Sequence, residues 1–325
     1  MRTRALLLCL LVPLALAGPA HAQLPPVDPT TPPPAAPAGA KLSVGVASIG
    51  DRGKRWVLAG QSLVASGRLD PFVAGEKVTV SLYKGKKRIG SRTVKVKDDH
   101  GHGKFTTSFG GAKTPGSYFV VAKHEGTTAQ KSASSQRARF GAVGTGGSSG
   151  EQVRLLQILL RRLAYVTPLS GHLDAATGRA VLAFRKVNGM SRISGTNYAI
   201  YSALFQGRGG FKLRFPKAGR HAEADLSRGV LVLADKGAPV RIYVTSPGKP
   251  STPTVRGTFH VYRRSPGTNS HGMVNSAYFI RGYAVHGYAD VPTYNASHGC
   301  LRVPVPNSRS IYDWLTMGTR VDVYA

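Results

Sequence analysis

The sequence contains very little cysteine. It has 2 Cys among 325 residues, and one of them, Cys9, lies in the apolar stretch at the N-terminus. Only Cys300 stands in the remainder of the chain. A single thiol cannot close an intramolecular disulfide, so a disulfide framework is excluded for that remainder. An odd cysteine of this kind favours a reactive thiol or an intermolecular bond.

Negative charge is also scarce. The chain has 15 Asp+Glu against 44 Lys+Arg, which gives a formal net charge of +29. The segment 41–141 alone holds 19 Lys+Arg and 6 Asp+Glu, a net charge of +13. Such a field attracts polyanionic surroundings, which include nucleic acid, anionic lipid and an acidic cell envelope.

Long apolar runs are few, and the one at the N-terminus is short. The positive "MRTR" precedes the apolar "ALLLCLLVPLALA", and "AHA" at 20–22 supplies a small-x-small cleavage site. This order is typical of a secretory signal peptide over residues 1–22, cut before Gln23. The run is interrupted by Pro13 and is short for a membrane-spanning helix. Export argues against nucleic acid as a partner despite the positive charge.

The residues after the signal peptide differ in composition from one segment to the next. Residues 23–40 are rich in Pro and Ala and predict an extended linker. From 41 to 141, short alternating runs such as "KVTVSLYK" are separated by Gly, Asp and Pro turns. This spacing predicts an antiparallel β-sandwich of immunoglobulin-like type. The "AVGTGGSSG" of 142–150 predicts a flexible linker.

Residues 151–210 show a helical period. In "EQVRLLQILLRRLAYV" the apolar positions fall on one face, at Val153, Leu156, Leu159, Leu160 and Leu163. A turn and a second helix are predicted within "LSGHLDAATGRAVLAFRKVNGM", with Asp174 near the N-cap, and a third helix is predicted near "TNYAIYSALF".

Residues 211–325 return to strands. The "EADLSRGVLVLADKGAPVRIYVTS" stretch predicts a hairpin that turns at "DKGA". One helix is predicted around "PNSRSIYDWLTMG", capped by Asn307 or Ser308 and stopped by Gly318. The sequence as a whole therefore predicts a multidomain, mainly β protein.

Three roles are open for Cys300 in "AVHGYADVPTYNASHGCLRV". It is a buried packing residue, a metal ligand beside His286 and His298, or a nucleophile. Zinc ligands usually stand in pairs two to four residues or one helical turn apart, whereas His286 lies 12 residues before His298 and 14 before Cys300, and a further anionic ligand is not obvious. A nucleophilic thiol needs an imidazole to take its proton or to stabilise the thiolate.

The residues that flank Cys300 favour the nucleophile. Gly299 lets backbone amides approach a developing oxyanion without a side chain in the way. Arg302 shares one side of an extended segment with Cys300 and can bind a substrate carboxylate with both arms of its guanidinium. If His286 activates the thiol, we expect a thiolate that persists below the free-thiol pKa of about 8.5.

Three other motifs suggest rival sites. "SPGK" at 246–249 fits the S-x-x-K of acyl-serine enzymes, but its prolines and Gly248 predict a turn rather than the helix that this chemistry needs. "DDHGHG" at 98–103 could bind a metal, yet its place between two predicted strands favours a hairpin turn. The "KGKKR" of 84–88 is predicted to be a solvated turn that favours anionic polymers.

Two stretches resemble known families. "VRLLQ…LRRLAY…SGHLDAATGRAVLAFRKVNGM" resembles the peptidoglycan-binding domain-1 family, which implies a three-helix wall-binding module over 151–210. The "HG" at 286–287, "SHGCLR" at 297–302 and the upstream "TSPGKPSTPTVRGTFHVY" resemble the L,D-transpeptidase (YkuD-like) catalytic domain. This second resemblance covers roughly residues 222–325 and implies a mostly β catalytic domain, which we place at 211–325.

The transpeptidase resemblance implies a role for each residue of the motif. Cys300 matches the nucleophile and His286 the activating imidazole, held by the backbone carbonyl of Gly287. Ser297 begins the motif, and Arg302 stands where the family has Arg or Asn. Together with Gly287, these two residues are expected to bind the substrate. His298 and Gly299 form the oxyanion-hole turn together with Cys300.

The same resemblance implies the function. We expect an exported enzyme of the cell wall or periplasmic space that cross-links peptidoglycan stem peptides through a thioester, without a cofactor. Transfer of the acyl group to water would instead make it an L,D-carboxypeptidase, and a domain without turnover would be a wall-binding protein. Carbapenem β-lactams are the expected inhibitors, and anionic wall polymers are the expected partners of the basic β domain.

Overall fold

The structure is a computed structural model that describes residues 35–325. The predicted signal peptide and most of the Pro-rich linker lie outside the described residues. Within residues 35–325, no helix is long and apolar enough to cross a membrane.

The first part of the described chain is built from strands. They run in the order β1 (Lys41–Val46), β2 (Ile49–Asp51), β3 (Lys54–Leu58), β4 (Leu63–Asp70), β5 (Lys77–Lys84), β6 (Lys87–Lys95), β7 (Lys97–Asp99), β8 (His102–Phe109), β9 (Gly116–His124), β10 (Ala133–Ser134) and β11 (Ala138–Val143). One sheet has the order β1-β4-β8-β7, and the other has the order β2-β3-β11-β9-β5-β6 with β10 on β9.

The two sheets of this β domain enclose one apolar core. Strand β8 alternates strictly between exposed and buried positions, as expected of a strand with one face in solvent. Its Phe105 meets Val80 and Val120 of the other sheet in the core. The predicted strands are therefore present, and the immunoglobulin-like class stays a prediction.

Three helices follow the β domain: α1 (Glu151–Arg162), α2 (Ala175–Val187) and α3 (Tyr198–Phe205). Asp174 caps α2, as predicted, because its Oδ1 accepts a hydrogen bond from the Thr177 amide at 2.7 Å. The buried face of α1 includes Leu155, while Leu163 lies just after the helix and is only partly buried.

The segment 142–150 differs from the expected flexible linker. Ala142 and Val143 belong to β11, and the following residues bond to the loop before α2. The Gly150 amide donates to the Gly171 carbonyl at 2.8 Å, and the Leu173 amide donates to the Ser148 carbonyl at 2.8 Å. These bonds hold the second half of the segment against the helices.

The C-terminal part contains two further sheets. Its elements are β12 (His221–Asp225), β13 (Val230–Asp235), β14 (Ala238–Val244), β15 (Gly257–His260), β16 (Arg263–Thr268), β17 (Val274–Ile280), β18 (Tyr283–Tyr288), β19 (Leu301–Pro304), α4 (Val305–Trp314) and β20 (Arg320–Tyr324). The sheet orders are β14-β13-β12-β20-β15 and β16-β17-β18-β19. The predicted hairpin is confirmed as β13–β14.

The ends of α4 differ from the prediction. The helix begins after Pro304, so Asn307 and Ser308 lie inside it and do not cap it. It ends at Trp314, before Gly318. Pro is tolerated in the first turn of a helix because the amide that it lacks would be unpaired there in any case. Helix α4 packs on β17 and β18 and so supports the strand that carries His286.

Candidate active site

Two parallel strands bring the candidate residues together. Strand β18 carries His286, and β19 begins directly after Cys300. The pairing is parallel, with His286 opposite Arg302. Residues far apart in sequence therefore meet at one cavity of about 330 Å³. Its lining residues are His271, Met273, His286, Tyr288, Ser297, His298, Cys300 and Arg302.

His286 is buried and fixed in one orientation. Its Nδ1 lies 2.9 Å from the carbonyl oxygen of Gly287. Since that oxygen can only accept, Nδ1 carries the proton and Nε2 is left with a free lone pair. Burial lowers the pKa of His286, the Gly287 carbonyl opposes this, and the charge of Arg302 lowers it further. The imidazole is therefore neutral at neutral pH and able to accept a proton.

Cys300 is half-buried behind the turn between β17 and β18. Its Sγ lies 3.8 Å from the carbonyl oxygen of Gly282. Burial raises the pKa of Cys300, while the amide of Ala284 and the charge of Arg302 act in the opposite direction. Burial therefore opposes the persistent thiolate expected from the sequence, because a buried sulfur favours its neutral form, and activation by His286 would instead remove the proton during attack. The site holds a neutral thiol at rest.

The turn that presents Cys300 is closed by the Ser297 hydroxyl. Its Oγ donates to the Cys300 carbonyl at 2.6 Å and accepts from the Gly299 amide at 3.0 Å. Gly299 has a φ of 116°, and a Cβ there would overlap the ring of Tyr283. Only glycine fits this position. Within the predicted oxyanion turn, the Gly299 amide already donates to Ser297, so this amide does not point to a developing oxyanion. The side chain of His298 in the same turn is exposed.

Gly287 is required by packing as well as by its carbonyl. A Cβ at this position would come within 2.7 Å of the Cβ of Ser308 in α4. Gly287 does not line the cavity, so its predicted role in binding substrate is replaced by a contact with His286 and a close approach to the helix.

Arg302 lies over an aromatic ring at the edge of the cavity. Its guanidinium carbon is 4.2 Å from the ring centroid of Tyr288, and its side chain is 13% exposed. Asp290 is 75% exposed, and its Oδ2 lies 4.0 Å from the guanidinium of Arg302, so the ion pair between the two is weak. The guanidinium therefore packs on the ring of Tyr288, and both residues line the cavity.

The loop 246–249 supports the segment that precedes Cys300. The Ser246 Oγ donates to the Tyr294 carbonyl at 2.7 Å, and the Pro247 carbonyl accepts from the amides of Ala296 and Ser297. Ser246 is fully buried and lies in a loop, as predicted, so it cannot act as an acyl-serine. Its role is to hold the 294–297 backbone in place.

Three residues of the cavity were not predicted: His271, Met273 and Tyr288. Tyr288 lies two residues after His286 on the same side of β18, so the period of a strand could have identified it. Its ring meets the imidazole edge to face, with centroids 5.7 Å apart. His271 and Met273 come from the β16–β17 turn, whose position over the cavity depends on tertiary packing and has no local signal.

The "DDHGHG" and "KGKKR" motifs lie at hairpin turns of the β domain. Across residues 35–325, no three His, Cys, Asp or Glu side chains are grouped as metal ligands. "DDHGHG" forms the β7–β8 hairpin turn, in which the Asp98 Oδ1 accepts from the Gly101 amide at 2.8 Å. The "KGKKR" stretch joins β5 to β6.

Comparison with known proteins identifies a family that this chain resembles. The family model of the YkuD L,D-transpeptidase catalytic domain matches residues 219–323. The crystal structure of residues 123–326 of an L,D-transpeptidase from Xylanimonas cellulosilytica is 34% identical, with a TM-score of 0.52. That match covers 55% of this chain and 96% of the other chain.

Another solved structure shows a weaker likeness. An L,D-transpeptidase from Stackebrandtia nassauensis is 20% identical, with a TM-score of 0.36, over 55% of this chain and 93% of the other. No curated protein matches the sequence.

Proposed function

Because the chain belongs to the L,D-transpeptidase family, we propose that it is an exported enzyme that cross-links peptidoglycan stem peptides through a Cys300 thioester. The observation that carries this proposal is the cavity that joins Cys300, His286 and Arg302. The imidazole in it is neutral, and its Nδ1 proton is already held by the Gly287 carbonyl. That arrangement leaves Nε2 to act as the base.

Acylation begins when substrate enters. The Cys300 Sγ attacks the carbonyl carbon of the third stem residue, and its proton passes to the Nε2 of His286. The Gly287 carbonyl stabilises the imidazolium as a backbone substitute for a carboxylate. The imidazolium then protonates the departing amine of the terminal D-residue, and a thioester remains on the sulfur.

Transfer completes the reaction. The amine of a neighbouring stem attacks the thioester carbonyl and gives its proton to His286, which returns it to the departing sulfur. We assign the stabilisation of the oxyanion to the amide of Cys300, because the Gly299 amide is already bonded to Ser297. Arg302 then binds a stem carboxylate, for which its planar fork is suited.

Incubation of the protein with purified wall peptides tests this function. Cross-linked dimers among the products are the expected result. Shortened monomers without dimers would mean that water takes the acyl group and that the enzyme is an L,D-carboxypeptidase. Retention of the peptides without any turnover would make the protein a wall-binding protein instead.

The remaining assignments belong to the same proposal. We propose that residues 1–22 direct secretion and that the protein acts in the cell wall or periplasmic space. The segment 151–210 serves as a peptidoglycan-binding module, and the basic β domain attracts anionic wall polymers through its net charge of +13. Carbapenems are expected to acylate Cys300 as substrates do.

A further inference from the structure

A groove in the β domain takes no part in the proposed reaction. We call it the Trp56 groove; its volume is about 510 Å³. It is lined by residues of the β3, β9 and β11 strands and their ends, with Lys54, Arg55 and Arg139 as its cations. None of its lining residues is acidic. The groove therefore combines positive charge with an aromatic ring, at a site far along the chain from Cys300.

The indole of Trp56 lies against Gly141 of the neighbouring strand. Trp56 is paired with Gly141 in the parallel register of β3 and β11. A Cβ on Gly141 would overlap the six-membered ring of Trp56, so the ring occupies the space that a side chain would need. Glycine weakens a strand interior and often marks the close approach of another group. The absence of a side chain at Gly141 leaves the space that the ring of Trp56 occupies.

The indole nitrogen of Trp56 has no partner. Its Nε1 is buried and makes no hydrogen bond to any group of residues 35–325. Most buried polar atoms in folded proteins are bonded, and each exception requires an explanation. This nitrogen is shielded from solvent, so a ligand in the groove is held by the ring and by the three cations rather than by Nε1.

A second aromatic platform adjoins the groove on the same face of the sheet. Phe119 lies opposite Arg139 and opposite Tyr83 in the strand registers. The rings of Tyr83 and Phe119 are stacked, with centroids 4.7 Å apart and an interplanar angle of 3°. The guanidinium carbons of Arg137 and Arg139 lie 4.9 and 5.9 Å from the Phe119 centroid. Aromatic faces and arginines thus continue from the groove across the sheet.

We propose that the Trp56 groove binds an acidic glycan, a chain of sugar rings that carry carboxylates. The apolar faces of the sugars pack on Trp56 and on the stacked pair, and their carboxylates bind the arginine forks. Single-stranded nucleic acid also combines stacking with charge. The choice of a glycan rests on the proposed function, since the substrate of that reaction is attached to glycan strands.

Calorimetric titration of the full chain with oligogalacturonate tests the proposal, with a neutral maltooligosaccharide of equal length and oligo-dT as comparisons. Oligogalacturonate is expected to bind most tightly. Trp56→Ala should weaken binding by roughly tenfold or more, and Trp56→Phe, which retains a ring, by less. Arg139→Ala should weaken it more than Lys41→Ala, which removes the same charge from the other sheet.

Two outcomes would overturn the proposal. Equal losses in Arg139→Ala and Lys41→Ala, with Trp56→Ala unchanged, would mean that attraction is due to net charge alone. Tighter binding of oligo-dT would make the surface a nucleic-acid site. Acylation of Cys300 by a carbapenem is measured in the same samples and should be unaffected in Trp56→Ala. A failure of the catalytic proposal is thereby distinguished from a failure of this one.

Discussion

At the scale of the residue, His286 and Cys300 are both uncharged at neutral pH, because burial shifts their pKa values in opposite directions. Burial lowers the pKa of His286 and raises the pKa of Cys300, so the imidazole is the free base and the sulfur is the thiol at neutral pH. The proton therefore moves when substrate is attacked, as general-base catalysis requires. This differs from an enzyme that stores a thiolate.

The pH dependence of acylation follows from these shifts. The rate should fall as pH drops below about 6.5, the ordinary histidine pKa, because His286 becomes protonated only there or lower. Above that it should stay flat beyond about pH 8.5, the ordinary thiol value, because burial raises the pKa of Cys300. Stopped-flow measurement of β-lactam acylation across this range provides the check. A tenfold rise for each pH unit up to pH 9 would mean that the free thiolate reacts without the imidazole.

Arg302 provides the second prediction at this scale. Lysine keeps the charge but lacks the planar fork, so Arg302→Lys should lower kcat/KM on stem peptides by about tenfold or more. The melting temperature should change little, since the ion pair with Asp290 is weak. Steady-state kinetics and thermal unfolding of the same samples give both numbers. A loss of stability that parallels the loss of activity would assign Arg302 a structural role.

The sequence, through its resemblance to a family motif, predicted Cys300, His286 and Arg302 as one site, and the structure brings the three to one cavity. Their types and the glycine before the cysteine are local information. The engagement of the Gly299 amide by Ser297 could not be predicted, because it depends on the conformation of the turn. The direction of the Cys300 pKa shift could not be predicted either, because it depends on how deeply the sulfur is buried.

At the scale of the element, the helices share a core with the catalytic sheet. Val230 and Val244 of the β13–β14 hairpin pack in the same cluster as Phe184 of α2. Helix α2 also contributes Lys186, whose Nζ donates to the carbonyls of Gly229 and Thr245 at 3.1 and 3.3 Å. Thr245 in turn donates its hydroxyl hydrogen to the Arg302 carbonyl at 2.8 Å. This chain of bonds links the helices to the strand that follows Cys300.

Lys186 makes stability depend on pH. Burial lowers its pKa to about 8, with a smaller effect of Arg192, whereas the unfolded chain has a value of about 10.4. Between these values the unfolded state binds more protons, so the free energy of unfolding should rise with pH from about 8 to 10. Below about pH 8 both states are protonated, and the contribution is constant.

Urea unfolding of the wild type and of Lys186→Met at several pH values isolates this effect. The difference in unfolding free energy, wild type minus variant, should increase by about 1 kcal/mol for each pH unit above 8. A difference that stays constant from pH 7 to 10 would show that Lys186 titrates normally in the folded protein.

The elements themselves were largely predictable from the sequence, while their partners were not. The alternation in β8 and the capping Asp174 are visible in a single segment. Parallel pairing of β18 with β19 joins strands that lie on either side of the 289–300 segment, and nothing local specifies it. The ends of α4 were misplaced because Asn307 and Ser308 are good caps, whereas the helix begins earlier, at Val305, with Pro304 at the N-cap position.

At the scale of the whole molecule, the helical segment also contacts the loop that joins His286 to Cys300. Arg192, in the loop after α2, donates to the Thr293 carbonyl at 3.0 Å and to the Ser227 carbonyl at 2.9 Å. Thr293 belongs to the segment between His286 and Cys300. On the other side, Arg154 of α1 bonds to Asp51 of the β domain at 2.8 Å. The helices therefore contact both neighbouring parts of the chain.

Arg192→Ala should lower kcat/KM by about fivefold, which corresponds to roughly 1 kcal/mol for hydrogen bonds from an exposed charged donor. Arg161→Ala removes an equal charge from the exposed end of α1 and serves as the control. Kinetics on stem peptides compare the two. Equal effects of both changes would show that Arg192 acts through charge rather than by positioning the 289–296 loop.

The central claim is that Cys300 is a nucleophile activated by His286. Intact-mass spectrometry after incubation with a carbapenem tests it most directly. The wild type should gain one covalent adduct, and Cys300→Ser should gain none, because the imidazole cannot activate a hydroxyl of far higher pKa. His286→Ala should slow the adduct by about 10²–10⁴-fold, and His298→Ala by much less, since that side chain is exposed. An undiminished adduct in Cys300→Ser, or a normal rate in His286→Ala, would contradict the account.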